Sequence, residues 1–337
     1  MLTHVKIENF RGIREGETEL APLTILLGPN NSGKTAILEA LFLAPNPFRN
    51  VPYYPIGQAL EVIRSSHETL DSEGYAFLLY NYISDQAKLE CDFNGTTYLL
   101  KFVKEGNNIS ISAETRTTDG KRKSFDNIGQ VDVSNLGGSW SNISLPMENT
   151  LLINHSLINV GYKHLQHNWA SIVNLGICRK VAKESSEFSY EGYRDITIEP
   201  FFGEKLALYA YLDDGRRIRL GDLGEGIQSY IISRILYELE KPKILLWDDI
   251  ESHFNPRILS SIAEWFYDLL EDGRQVVLTT HSIEATKIIA GLNEEKTGIY
   301  LTSLENNVLK TKRLTLKEFI EYSEAGIDIR VAERSLL

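Results

Sequence analysis

Gly28-Pro29-Asn30-Asn31-Ser32-Gly33-Lys34-Thr35 decides the reading of this chain, because it is a complete G-x-x-x-x-G-K-T motif with flanks of the right character. Residues 23–27, Leu-Thr-Ile-Leu-Leu, are a compact apolar run that predicts a buried strand. From Lys34 onward Ala36, Ile37, Ala40, Leu41 and Leu43 recur at helical spacing until Pro45 and Pro47 stop them. A glycine loop joining a buried strand to a helix is suited to phosphate. The backbone N–H groups around Asn30, Asn31, Ser32 and Gly33 can turn inward about a β-phosphate, at the positive end of the helix dipole. Lys34 would neutralise β and γ oxygens, and the Thr35 hydroxyl would ligate a metal, so the motif predicts ATP and Mg²⁺ as cofactors.

On the amino-terminal side, Leu2, His4 or Val5, Ile7 and Phe10 come before an Arg11-Gly12 turn, which predicts strand, turn and strand. Beyond the helix, residues 48–85 are mixed and partly helical. Alternation returns over residues 89–93, 97–103 and 109–113, with Asn94-Gly95 and Gly106-Asn107 at the turns, predicting an antiparallel meander. Residues 124–150 are rich in Gly, Ser and Asn and carry no period, so loop and short strand are expected. Residues 151–190 are moderately helical. No repeat, low-complexity tract or sustained heptad is present.

The last third alternates strand and helix, as a parallel α/β sheet requires. A hairpin over residues 209–220 turns at Asp213-Asp214-Gly215 and leads into Gly221-Asp222-Leu223-Gly224-Glu225-Gly226. A helix is expected over residues 227–240, a buried strand over 243–247, a helix over 257–270 and a buried strand over 275–280. The first of these strands ends in Asp248-Asp249, and ligands of a parallel sheet gather at the carboxyl ends of its strands. Asp248 would hold Mg²⁺ through water, and Asp249 would face the attacking water as base or orienter. The second strand ends in Thr279-Thr280-His281-Ser282, where His281 can hydrogen-bond a γ-phosphate.

Composition sets the boundaries. With 337 residues, 42% hydrophobic and 24% charged, the chain is long enough to bury a large core. No apolar run approaches the ~18–20 residues that span a bilayer, and residues 1–14 alternate and carry charge, so a cytoplasmic protein with no membrane partner is expected. Cys91 and Cys178 are too few and too far apart for a disulfide framework or a zinc site. His164 and His167, three apart with no third ligand, read as surface histidines. A net charge of −11 disfavours a nucleic-acid coat, leaving three short basic clusters: Lys121-Arg122-Lys123, Arg216-Arg217 with Arg219, and Lys310 with Lys312-Arg313. Each alone reads as solvated loop charge, so DNA binding would be weak and non-specific.

The order of phosphate loop, glycine segment, acidic strand and strand histidine resembles an ABC-type ATPase head, in the branch containing RecF, SMC proteins and the OLD-family ATPases. Ile7-Glu8-Asn9-Phe10-Arg11-Gly12 resembles that branch's first strand, and Asp248-Asp249-Ile250-Glu251-Ser252-His253-Phe254-Asn255-Pro256 is similar to its D-E-P-E-x-x-L-H-P stretch. The resemblance implies one α/β P-loop head of two lobes over residues 1–337, a mixed sheet with an antiparallel β subdomain and a helical insert. The meander would occupy residues 86–115, a divergent insert 116–205 and the signature lobe 206–337. It also implies a homodimer that sandwiches ATP. Leu223-Gly224-Glu225-Gly226 stands at the signature position, where Gly224 and Gly226 would cap the partner's γ-phosphate, and Arg11 would reach the nucleotide. Two departures stand out: Gly224 replaces the usual signature serine, and Asp249 the usual catalytic glutamate. No Q-loop glutamine stands out.

The insert is too short and aperiodic for a coiled-coil arm, and the chain beyond His281 is too short for a nuclease domain, so a nuclease or effector would be a separate subunit. The resulting expectation is a slow Mg-ATPase, with Asp249 and His281 catalytic, that dimerises on ATP and switches a DNA-maintenance or defence complex. The alternatives are the ATPase subunit of a membrane transporter and a regulatory module that binds ATP with little hydrolysis.

Overall fold

Strand β1 (Leu2–Phe10) turns at Arg11 and Gly12 into β2 (Ile13–Glu19), pairing Phe10 with Ile13. The computed structural model describes residues 1–44, 46–54, 57–70, 72–141, 149–203 and 205–337. Pro45, an expected helix stop, and residues 142–148, within the stretch expected as loop and short strand, lie outside them. Strand β3 (Leu23–Leu27) is buried at every position, and the glycine loop delivers the chain into α1 (Lys34–Leu43). Helix α2 (Ala59–His67) then leads to the antiparallel run β4 (Gln86–Phe93), β5 (Thr96–Glu105), β6 (Asn108–Thr117), β7 (Arg122–Asp132) and β8 (Gly138–Trp140).

The meander therefore continues into the region expected to be loop and short strand. The first half of β7 is largely exposed on both faces, so it shows no alternation to read, and only its second half is buried. Strand β9 (Thr150–Ile153) follows, then α3 (His155–His167), α4 (Trp169–Asn174) and α5 (Ile177–Ser186). A separate sheet of β10 (Tyr193–Phe202), β11 (Lys205–Leu212) and β12 (Arg217–Arg219) carries the expected hairpin. Helix α6 (Glu225–Glu240), β13 (Ile244–Trp247), α7 (Pro256–Glu271), β14 (Gln275–Thr280) and α8 (Ile283–Ala290) restore the alternation. Strands β15 (Thr297–Glu305) and β16 (Val308–Leu314) and helices α9 (Leu316–Glu324) and α10 (Glu333–Leu336) complete the chain.

Among the described residues one sheet of thirteen strands runs β8-β7-β6-β5-β4-β1-β2-β16-β15-β3-β14-β13-β9. Its last five strands, β15 to β9, are mutually parallel, and β1, β2 and β4 to β8 are antiparallel. The two halves join where β2 meets β16 for only two residue pairs, one of them Gly16 with Leu309. A Cβ on Gly16 would lie 2.4 Å from Leu309 Cβ, so this seam requires glycine.

Two devices fix the acidic strand. Trp247 of β13 meets Trp265 and Phe266 of α7 edge to face at 6.1 and 6.0 Å, which seats that helix beneath it. Asn255 caps α7 through the N–H groups of Arg257 and Ile258, with Pro256 in the first turn where its missing N–H is harmless. Arg234 of α6 stacks over Trp265 at 4.2 Å and grips Glu184 of α5 with two bonds of 2.8 Å, tying the insert helices to the same platform.

Candidate nucleotide site

The parallel order β3-β14-β13-β9 brings the carboxyl ends of four strands to one edge. In the glycine loop Gly33 adopts φ 91° and Asn31 φ 63°, the left-handed turns needed to point successive N–H groups inward. Asn30 and Asn31 are exposed, but Ser32 is buried, its hydroxyl 2.8 Å from that of Thr302 on β15. The Ser32 side chain thus anchors the loop, leaving its N–H for phosphate. A Cβ on Gly28 would fall 2.5 Å from the Thr302 carbonyl oxygen, so the loop lies directly on β15.

Lys34 is buried and donates to the carbonyls of Gly28 and Pro29, at 3.0 and 2.8 Å. Burial holds its ammonium below the usual lysine range, against the opposing pull of Asp249, Asp248 and Glu251. Those three carboxylates therefore all act on the loop's cation through space, although they stand more than 200 residues downstream.

The Thr35 hydroxyl donates toward both oxygens of Asp248, at 3.2 and 3.1 Å, and Thr279 of β14 donates to Asp248 Oδ1 at 2.6 Å. Burial pushes the Asp248 carboxyl up to about 6; the Thr279 and Thr35 bonds pull it down, and Asp249 pushes it further up. A partly buried carboxylate beside a threonine hydroxyl is a hard-oxygen donor set that fits Mg²⁺. Thr279 also accepts the Asp249 N–H at 2.8 Å, which helps hold Asp249 in its left-handed φ of 47°. The Asp249 side chain is half exposed, and its Oδ1 lies 3.7 Å from His281 Nδ1. Glu251 is nearer to that histidine: its Oε1 accepts from the His281 N–H at 2.7 Å and lies 2.8 Å from Nδ1.

Other expected residues stand elsewhere. Arg11 is engaged with Glu39 of α1, whose second oxygen lies 2.8 Å from His67 Nε2. Its guanidinium thus braces the first helix. Glu225, at the start of α6, pairs with His253 at 2.7 Å, and a Cβ on Gly226 would sit 2.4 Å from the His253 carbonyl oxygen. Gly226 is therefore glycine because of its own protomer, whereas Gly224 has nothing within 4 Å and is exposed. Between α6 and the acidic strand lies a cavity of about 240 Å³, lined by Asn154, His155, Glu225, Gln228, Asp249 and His253 among others.

Sequence reasoning assigned no role to Thr279, Ser32's partner Thr302, or Asn154. Asn154 follows β9, the strand outside the acidic one, and caps α3 by accepting from Leu157 N–H at 3.0 Å. His164 is largely buried against Glu240 at 3.0 Å, not on the surface, while His167 turns to the Lys163 carbonyl. Both cysteines are free and buried, with their thiols pushed up by burial, Cys178 to about 12. In the three basic clusters Lys121, Arg122, Arg216, Arg217, Arg219 and Lys310 are each paired with a carboxylate. Among the described residues no helix is long and apolar enough to cross a membrane.

The sequence matches the family described as "AAA domain, putative AbiEii toxin, Type IV TA system" over residues 23–286, well over half of the chain. The chain belongs to this AAA-domain family. A comparison with curated protein sequences finds no match. Among solved structures, this AAA domain is similar to an SMC head bound to the C-winged helix domain of ScpA: 14% identity, TM-score 0.55, covering 95% of this chain and 99% of that one. It is similar too to an SMC head domain with an extended coiled coil, bound to the C-terminal domain of ScpA derived from Pyrococcus furiosus: 11% identity, TM-score 0.53, covering 96% and 98%. The fold is the α/β P-loop fold of SMC head domains, and the family is one of AAA-type, nucleotide-binding ATPases.

Proposed function

We propose that this chain is a Mg-ATP-dependent switch: a head that binds ATP, dimerises around it and hydrolyses it slowly. One observation carries the reading. Thr35 from one end of the chain meets Asp248 from the other, which Thr279 also holds, with Lys34 in the electrostatic field of Asp249 and Asp248, on the edge where a parallel sheet binds its ligand. The loop N–H groups and Lys34 would hold the phosphates, and Thr35 and Asp248 the metal, whose contribution when bound is to neutralise charge on the β and γ oxygens. Asp249 would orient or deprotonate the attacking water, with His281 beside it.

Two features support slow turnover. An aspartate carboxylate falls short of a glutamate's by up to about 1.5 Å, and a displacement near 1 Å costs on the order of 10²-fold in rate. Gly224 supplies no hydroxyl to a partner's phosphate, though its exposed place at the start of a sixteen-residue helix keeps the N–H groups and dipole available. The toxin named in the family's description favours a defence role, and the ScpA-bound heads favour a separate partner subunit. Any DNA contact would be weak, salt-sensitive and sequence-independent, since most of the clustered cations are already paired. Light scattering with and without Mg-ATP, on wild type and Asp249→Asn, tests the switch. A monomer that becomes a dimer with ATP is expected, and an unchanged mass in both proteins overturns it. A chain that dimerises but turns over no faster than Lys34→Ala would be the regulatory module instead.

A further inference from the structure

We propose that Glu251 is a positioning residue that sets His281 for its work on the γ-phosphate, an inference that rests on the nucleotide site proposed above. One oxygen of Glu251 holds two points of the same histidine: Oε1 accepts from the His281 backbone N–H at 2.7 Å and lies 2.8 Å from Nδ1. An ionised carboxylate can only accept, so the nitrogen facing it must carry the proton. Nδ1 is therefore the N–H nitrogen, and Nε2 is left to face the nucleotide. The His281 carbonyl accepts from Arg330 Nη1 at 2.8 Å, and Arg330 is itself kept in place by two bonds to Asp328, at 2.8 and 2.6 Å. Main-chain N–H, ring and main-chain carbonyl are thus each fixed, while the ring stays about half exposed at the site edge.

The carboxylate is well placed to act through His281 and poorly placed to act on water. Its side chain is only 14% exposed, its Oε1 is taken up by the histidine, and its Oε2 is buried without a hydrogen-bond partner among the described residues. Asp249, with its side chain 50% exposed and its Oδ1 at 3.7 Å from Nδ1, remains the acid open to the reaction space. Three groups thus surround the histidine in different roles, with Glu251 orienting the ring, Asp249 standing beside it and Arg330 bracing the backbone behind it.

The test exploits the difference between an acceptor and a base. A glutamine keeps an oxygen that accepts from both His281 donors but cannot take a proton from water, whereas an alanine keeps neither function. Glu251→Gln should retain kcat for ATP within about threefold of wild type, and Glu251→Ala should lose on the order of 10²-fold in kcat with KM unchanged. In a His281→Ala background, Glu251→Ala should subtract nothing further. If Glu251→Gln is as inactive as Glu251→Ala, or if the two losses multiply, Glu251 does not act through His281. A second measurement needs no turnover. The ¹⁵N shifts of the His281 ring in nucleotide-free protein at mildly alkaline pH, assigned against His281→Gln, should report the Nδ1–H tautomer in wild type and Glu251→Gln. In Glu251→Ala they should report a mixture. An Nε2–H tautomer in wild type overturns the proposal whether or not the protein hydrolyses ATP, whereas the expected tautomers without turnover would count against the ATPase reading alone.

Discussion

The parallel and antiparallel ends of the thirteen-stranded sheet share one hydrogen-bonded frame but handle polar side chains in opposite ways. In the antiparallel arm most are satisfied locally: Glu114 pairs with Arg116 and Arg122, Thr97 donates to Asp92, Ser110 to Glu105, and Lys121 pairs with Asp119. At the parallel end the partners come from distant sequence: Ser32 with Thr302, Thr35 with Asp248, Thr279 with Asp248. Local pairing at the surface keeps a strand soluble and contributes about 0–1 kcal/mol per ion pair. Buried pairing across the fold places unlike groups together only after folding, and it concentrates the chemistry at one edge.

If that contrast is right, substitutions at the parallel edge act on ligands and those in the arm on almost nothing. The largest effect belongs to Lys34→Ala, which should weaken ATP binding by calorimetry about 100-fold or more, since charged hydrogen bonds to phosphate contribute about 1.5–3 kcal/mol each. Because Lys34 is buried on two loop carbonyls, the nucleotide-free protein should also lose about 1 kcal/mol of stability in denaturant titration. Asp249→Asn should cut single-turnover hydrolysis by roughly 10²-fold while the ATP-bound dimer accumulates, whereas Asp248→Asn should weaken Mg²⁺ binding as well. Wild-type turnover in Asp249→Asn, with loss in Glu251→Gln, would move the water-activating role to Glu251.

The two signature glycines should separate. Gly226→Val places a Cβ 2.4 Å from a backbone oxygen and should destabilise the nucleotide-free monomer by about 1–3 kcal/mol. Gly224→Val meets open space, so its monomer should melt like wild type while ATP-driven dimerisation is lost. Acidity gives a smaller effect. The Asp248 carboxyl, raised by burial to about 6 from 3.8, contributes stability that is fully present below pH 3.8 and is lost as pH rises through 6 in the nucleotide-free protein. Mg²⁺ competes with that proton, so its apparent affinity should fall about tenfold one pH unit below this value, read by metal titration with ATP present. Smallest of all, Lys121→Ala in the arm should shift stability by less than about 0.5 kcal/mol and leave turnover unchanged.

The same contrast explains what could be read in advance. Phosphate chemistry demands particular residues in a particular order, so the glycine loop with its strand and helix, and the acids ending β13, were legible from the sequence, as was the α/β head fold. Thr279 was not, because a threonine closing an apolar strand looks the same whether it packs or binds a carboxylate. Strand β9 was hidden by its four-residue length beside three helices, although it lies directly against the acidic strand. The Arg11 partnership was also invisible, since the buried Glu39 that holds it looks like an ordinary residue of a helical pattern.

The packing of α6 has one more consequence. Its first turn rests on His253, through the Glu225 pair and the bare face of Gly226, and His253 follows the acids of its own site by a few residues. In a two-fold sandwich that turn would touch the phosphate held by the other protomer. A tug on it would therefore be transmitted inside each protomer to the loop beside Asp249. Two nucleotides in such a dimer would not fire independently, and the ATP dependence of turnover should be sigmoidal rather than hyperbolic.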